Sequence, residues 1–260
     1  MTAIPVLYSF GRSGGTLVNQ LLGSHPICFV LSEVNPAISC KPVAEQAIEW
    51  LRLVQAADAT RFSALAYSDQ IIALRELAEG RGRKLVVRDW TTVNFLPRCA
   101  GDRAVPSGRL EQEMYLTRAG LAPVSLVVTR RAAAVFRSMR HNFPHLRDLE
   151  PEVFARAYAS YSRAVAHLPR VHLEELRADP EVTLKRILGY FGFDASDSHS
   201  ILGCFHLFRE CTGNTALQES SESASAKVVI PPVAVPTMDD IPKELHSVLG
   251  EADRVLGYGT

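Results

Sequence analysis

At 260 residues, with 47% apolar and 22% charged side chains and formal charges that cancel to zero, the chain can bury one sizeable core, and no general attraction to nucleic acid or acidic membranes is implied. Five scattered cysteines (Cys28, Cys40, Cys99, Cys204 and Cys211) form no C-x-x-C pair, and no histidine cluster has zinc-ligand spacing, so they read as reduced, mostly buried thiols without a metal. The first residues lack the basic start, apolar stretch and cleavage site of a secretory signal, and no apolar run approaches the ~20 residues that cross a bilayer, so the expected location is cytoplasmic.

In chain order, Ile4 to Phe10 is a short apolar run rich in β-formers, and a glycine-bearing turn follows it. Thr16 to Leu22 reads as a helix stopped at Gly23, and Ile27 to Leu31 as a second strand. Apolar residues recur at helical spacing from Val43 to Val54, and a further amphipathic helix runs from about Asp69 to Glu79. Lys84 to Val87 is a buried strand, and Pro97 to Gly108 a surface loop. Val124 to Val128 is the clearest strand, with helices at Ala132 to Arg140 and Pro151 to His167 after it. A short strand near Arg170 to His172 precedes a helix that Asp179 and Pro180 begin and that ends near Phe191. Gln218 to Lys227 is Ser-rich and charged, which suits a flexible loop, and a final helix spans about Pro242 to Leu256. Strands alternating with helices predict a single α/β domain over 1–260, its parallel sheet covered on both faces.

The chemistry concentrates in YSFGRSGGTLVNQLLGSHP, Tyr8 to Pro26. A glycine turn between strand and helix aims backbone N–H groups at one point, and the helix N-terminus favours an anion there. Arg12 adds a full positive charge, the Ser13 and Thr16 hydroxyls can donate, and Gly14 and Gly15 leave room for close approach. The Walker A pattern is absent, which disfavours an ordinary ATP or GTP cradle. The plainer alternative is a turn that only joins strand to helix.

The run Gly11 to Leu17, followed by Gly23-Ser24-His25-Pro26, resembles the 5′-phosphosulfate loop of sulfotransferases that use 3′-phosphoadenosine 5′-phosphosulfate (PAPS). The usual form there is [KR]-S-G-[TS]-[TS], and Gly15 replaces its first Thr or Ser. In LVVTRRAAAVFRSMRHNF, Arg130 and Ser138 match the family's strand-end Arg and the Ser eight positions later, which contact the 3′-phosphate. The stretch VHLEELRADPEVTLKRILGYFGF, Val171 to Phe193, resembles a structural segment of the same family. The resemblance implies a P-loop-NTPase-like sheet and a nucleotide held by Arg12, Ser13, Gly14, Gly15, Thr16, Leu17, Arg130 and Ser138. It also implies a C-terminal lid over the nucleotide, here 218–227, where Lys227 stands in for the family's basic residue. No metal is required.

What the resemblance implies is sulfuryl transfer from PAPS to a hydroxyl or amine of a small-molecule, glycan or peptide acceptor, releasing 3′,5′-adenosine bisphosphate. Arg12 would stabilise the leaving phosphate. Two carboxylates compete as base: Glu33, placed like the Glu of protein-tyrosine and several bacterial sulfotransferases, and Asp89, placed like the His of cytosolic ones. Glu33 is preferred, although it could instead pair with Arg88, and Asp89 could cap the turn that follows it. Two other functions stay open: a kinase with an atypical phosphate loop, and a non-catalytic nucleotide-binding protein on the same scaffold. The acceptor and any self-association leave no readable motif.

Overall fold

The computed structural model describes residues 2–99, 105–213, 238 and 241–259. β1 (Thr2–Ser9) is its axis, an apolar strand whose alternate side chains serve opposite faces of the sheet. It pairs in parallel with β3 (Lys84–Asp89) on one side and β4 (Leu121–Thr129) on the other. β2 (Cys28–Val34) lies outside β3, and β5 (Arg170–His172) outside β4, giving the order β2-β3-β1-β4-β5. The chain turns one way from β1 and later the other, so the crevice at the carboxyl ends of the strands beside β1 is the natural ligand position.

Strand periodicity divides the apolar interior in two. Val6 and Tyr8 of β1 and Val127 of β4 face α2 (Val43–Glu45), α4 (Tyr67–Glu79), α6 (Ala132–Asn142), α7 (Pro151–Val165) and α11 (His246–Val255). Leu7, Leu126 and Val128 face α1 (Gly15–Gly23), α8 (Leu173–Ala178), α9 (Pro180–Tyr190) and α10 (Ser198–Cys204). The expected α/β sheet with helices on both faces is what the chain forms.

Most expected elements occur within a few residues of their places. Asp179 caps α9 by accepting the Val182 N–H at 3.1 Å, with Pro180 in the first helical position. The helix expected over Val43 to Val54 is shorter and irregular: α2 passes into a π-helix at Gln46–Trp50. The cause is Gln46, whose buried amide accepts the Ser32 N–H (2.7 Å) and donates to the Ser32 and Lys41 carbonyls, tying the helix to β2. α3 (Ala59–Ser63), α5 (Glu111–Arg118), α8 and α10 come in addition to the sequence reading. Of the five cysteines only Cys28 is buried and Cys40 is exposed, because Cys40 sits in the irregular stretch after β2 rather than in an element. No helix among the described residues is long and apolar enough to cross a membrane.

Candidate active site

The turn after β1 is anchored from below. Phe10 packs among Phe154, Tyr158 and Tyr161 of α7, with ring centroids 5.1 to 6.1 Å away. The Tyr158 hydroxyl also donates to the Arg130 carbonyl at the end of β4, so one helix holds both segments expected to bind phosphate. Gly11 N–H donates to Thr92 Oγ1 at 2.6 Å, and Arg12 takes a left-handed backbone (φ 70°). Such strain in a non-glycine residue persists where surrounding contacts enforce it, commonly at ligand sites.

α1 begins at Gly14 (φ 95°) with no side chain capping its first turn, which leaves N-terminal donors to face the cavity. The glycines serve packing more than ligand approach. A Cβ on Gly14 would lie 2.6 Å from Leu173 of α8, and one on Gly15 would overlap Ser9 Oγ and come within 3.1 Å of Arg88 Nε. Gly15 therefore makes room for a buried arginine where the sulfotransferase motif has a hydroxyl.

A cavity of about 380 Å³ opens at this switch point, lined by Arg12, Gly14, Gly15, Thr16 and Leu17 and by Glu33, Arg88, Trp90, Arg130 and Arg177. Arg12, Arg130 and Glu33, far apart in sequence, meet there. Arg130 Nη1 donates to the Arg12 carbonyl at 3.1 Å, and Arg12 Nε to Ser138 Oγ at 3.0 Å. The two segments expected to bind separate phosphates thus touch, and Ser138 Oγ, which accepts from Arg12, keeps its own O–H to donate. Ser13 does not line the cavity: its hydroxyl is fully buried without a hydrogen-bond partner among the described residues. The Thr16 hydroxyl donates to the Thr212 carbonyl at 3.3 Å, so a phosphate would compete with that bond. Lys227 and the expected lid at 218–227 lie outside the described residues.

The carboxylates differ sharply. Glu33 sits at a bulge where the β2–β3 register shifts between Leu31 and Val34, with φ 49°. The bulge turns its side chain into the cavity, and Oε1 meets Arg88 Nη2 at 2.7 Å. Asp89 is 1% exposed, does not line the cavity, and accepts the Asn35 amide at 2.9 Å. Burial, only partly offset by hydrogen bonds from Thr91 and Asn35, pushes its carboxyl up to about 7.

Arg88, which the sequence suggested only as a partner for Glu33, is a hub. Its Nη1 donates to Ser32 Oγ (3.2 Å) and the Thr212 carbonyl (3.3 Å), and its Nη2 to Thr16 Oγ1 (3.3 Å) as well as Glu33. His25 serves its own turn: Nδ1 accepts the Ile27 N–H, which leaves Nε2 to donate to the Asp194 carbonyl at 2.9 Å. Trp90 lines the cavity, whereas Phe95 is core and packs on Tyr161. Among the described residues no group of His, Cys, Asp or Glu is placed to hold a metal ion.

The residues present suit a nucleotide with two phosphate groups: an uncapped helix N-terminus and three arginines with no carboxylate in ion-pair reach among the described residues. No protein-family model matches the sequence, and no curated protein matches it. Solved structures do. The sulfotransferase domain of a Synechococcus olefin synthase is similar over 100% of this chain and 96% of its own, with a TM-score of 0.61 at 15% identity. The sulfotransferase domain of the curacin biosynthetic pathway is similar over 100% and 99%, at 0.60 and 15%. A sulfotransferase from Mycobacterium avium covers 99% and 78%, at 0.51 and 10%. The resemblance first carried by the glycine loop is thus matched across the whole backbone: the chain has the sulfotransferase fold.

Proposed function

We propose that this protein is a sulfotransferase that takes the sulfuryl group of PAPS to a hydroxyl or amine of a small-molecule, glycan or peptide acceptor, with Glu33 as general base. The observation that carries this reading is one cavity lined both by an open cationic cluster at an uncapped helix N-terminus and by a carboxylate, Glu33. Bound PAPS would supply an activated sulfate, whose S–O bond to the 5′-phosphate breaks as the acceptor atom bonds sulfur. The α1 N-terminus and Arg12 would hold the leaving phosphate and its charge. Arg130 and Ser138 would hold the 3′-phosphate.

Glu33 would take the acceptor proton. Arg88 engages only Oε1, and Oε2 has no hydrogen-bond partner among the described residues, so one oxygen is oriented while the other is available. Asp89 is the weaker candidate because a 1% exposed side chain outside the cavity cannot reach an acceptor. The Glu33–Arg88 ion pair is also the feature that favours the non-catalytic alternative, since a carboxylate held by an arginine can be purely structural.

Two measurements test the proposal. 3′,5′-Adenosine bisphosphate should raise the melting temperature more than ADP or ATP at equal concentration; greater stabilisation by ATP would favour a kinase. Glu33→Gln should abolish transfer across an acceptor panel while retaining affinity for the bisphosphate. Near-normal turnover in that variant would remove Glu33 as the base.

A further inference from the structure

α8 follows β5 directly, and a capping box fixes its start: the His172 N–H donates to Glu175 Oε2 at 3.2 Å, and the His172 ring accepts in return. Leu173 and Leu176 are buried, the former against Gly14 of the phosphate turn. This seat brings Arg177 into the cavity beside Arg130. Its Nε and Nη1 are shielded from solvent and have no hydrogen-bond partner among the described residues. Buried donors on a charged group are seldom left unsatisfied, because the lost hydration is not otherwise recovered.

The electrostatics point the same way. Burial and then the charge of Arg130 depress the basicity of Arg177, and the same two causes act on Arg12. Arg130 therefore stands between two other guanidinium groups. Glu174 acts on both Arg130 and Arg177 from beyond ion-pair distance, and its oxygens already accept the Arg131 N–H (3.4 Å) and the Tyr258 hydroxyl (3.0 Å). No carboxylate among the described residues lies in ion-pair reach of Arg130 or Arg177, and a ligand with several acceptor oxygens would supply the counter-charge.

We infer that Arg177 is a nucleotide-binding residue which, with Arg130, grips the phosphate not held at the α1 N-terminus and so distinguishes a 3′,5′-bisphosphate from a 5′-monophosphate. Two guanidinium forks match a phosphate monoester dianion better than one. Arg177 thereby supplies from α8 the extra cation that the sequence resemblance placed at Lys227. The inference rests on the nucleotide reading of the cavity given above.

The experiment is calorimetric titration of 3′,5′-adenosine bisphosphate and of adenosine 5′-monophosphate into the parent protein, Arg177→Gln and Arg177→Lys. Arg177→Gln should weaken the bisphosphate by about 10- to 100-fold, the range for a lost charge-assisted contact, and the monophosphate by less than about threefold. Arg177→Lys should recover part of the difference, and it decides the matter alone if the Gln variant does not fold. A parent that prefers the bisphosphate, with both variants keeping that preference undiminished, overturns the role of Arg177 but leaves the nucleotide reading intact. A parent with no preference overturns the nucleotide reading, and this inference with it.

Discussion

The two ends of the cavity treat charge in opposite ways. Beside β2 and β3, Arg88 is buried, hydrogen-bonded to Ser32, Thr16 and Thr212, and ion-paired with Glu33. Beside β4 and α8, Arg12, Arg130 and Arg177 share a space without a carboxylate in ion-pair reach among the described residues, and Arg130 depresses the basicity of its two neighbours. At one end the arginine has a carboxylate partner as folded, although its Nε is left without a hydrogen bond among the described residues; at the other, three arginines have no carboxylate in ion-pair reach among them. Glu33 and the turn are thus held in place without a ligand, while the cluster proposed to hold a nucleotide would gain most when one binds.

The contrast can be broken first at Arg88. Arg88→Gln would leave Glu33, Ser32 and Thr212 without their shared donor, and a loss of about 3 kcal/mol or more is expected in urea unfolding, as for other broken buried pairs. A loss below about 1 kcal/mol would mean that this end is no better organised than the other. Gly15→Ala drives a methyl into Ser9 and toward Arg88, and should cost about 1 to 3 kcal/mol by the same measurement.

Asp89 sharpens the comparison, being a buried carboxylate with no cation in ion-pair reach among the described residues. Its folded pKa of about 7 lies above the ordinary value, so the folded state retains a proton that the unfolded chain has lost. Stability from this group falls as pH rises from about 4 to about 7 and is level above that. Asp89→Asn should therefore gain on the parent by at least about 1 kcal/mol between pH 5 and pH 8, visible as a widening difference in melting temperature. An unchanged difference would show that Asp89 titrates normally.

The smallest effect is expected at the open end. Arg12→Ala removes one hydrogen bond to Ser138 but also a like charge near Arg130, so the ligand-free protein should stay within about 0.5 kcal/mol of the parent. The same variant should lose bisphosphate binding. A large stability loss would mean that the cluster is structural, and the distinction between the two ends would disappear.

The strands and the glycine turn were legible because they rest on local signals: apolar runs, glycine punctuation, and an Arg and a Ser held in register by one strand and one helix. Short elements without their own stop signals were not. α8 continues from β5 without an intervening glycine or proline and is six residues long, so LEELRA carried no separate period. Arg177 was passed over for a related reason, since its burial and its proximity to Arg130 arise from α8 docking on Gly14. Arg88 was legible as a partner for Glu33 but not as a hub, because Thr212 reaches it from the far side of α10. That Glu33 lines the cavity and Asp89 does not goes with the β2 bulge, a register feature that no residue pattern in SEVNP announces.

The ladder between β1 and β4 has a consequence of its own. It runs without a break from Thr2↔Leu121 to Ser9↔Val128, so the glycine turn and Arg130 leave adjacent strands at the same height. Neighbouring strands lie about 4.8 Å apart, and the span between the two exits is therefore set by backbone pairing rather than by any side chain. Adding or deleting one residue in either strand would move an exit by about 3.3 Å and invert the facing of everything beyond it. Side-chain substitutions in either strand leave that span unchanged for as long as the unbroken pairing from Thr2 to Ser9 is kept.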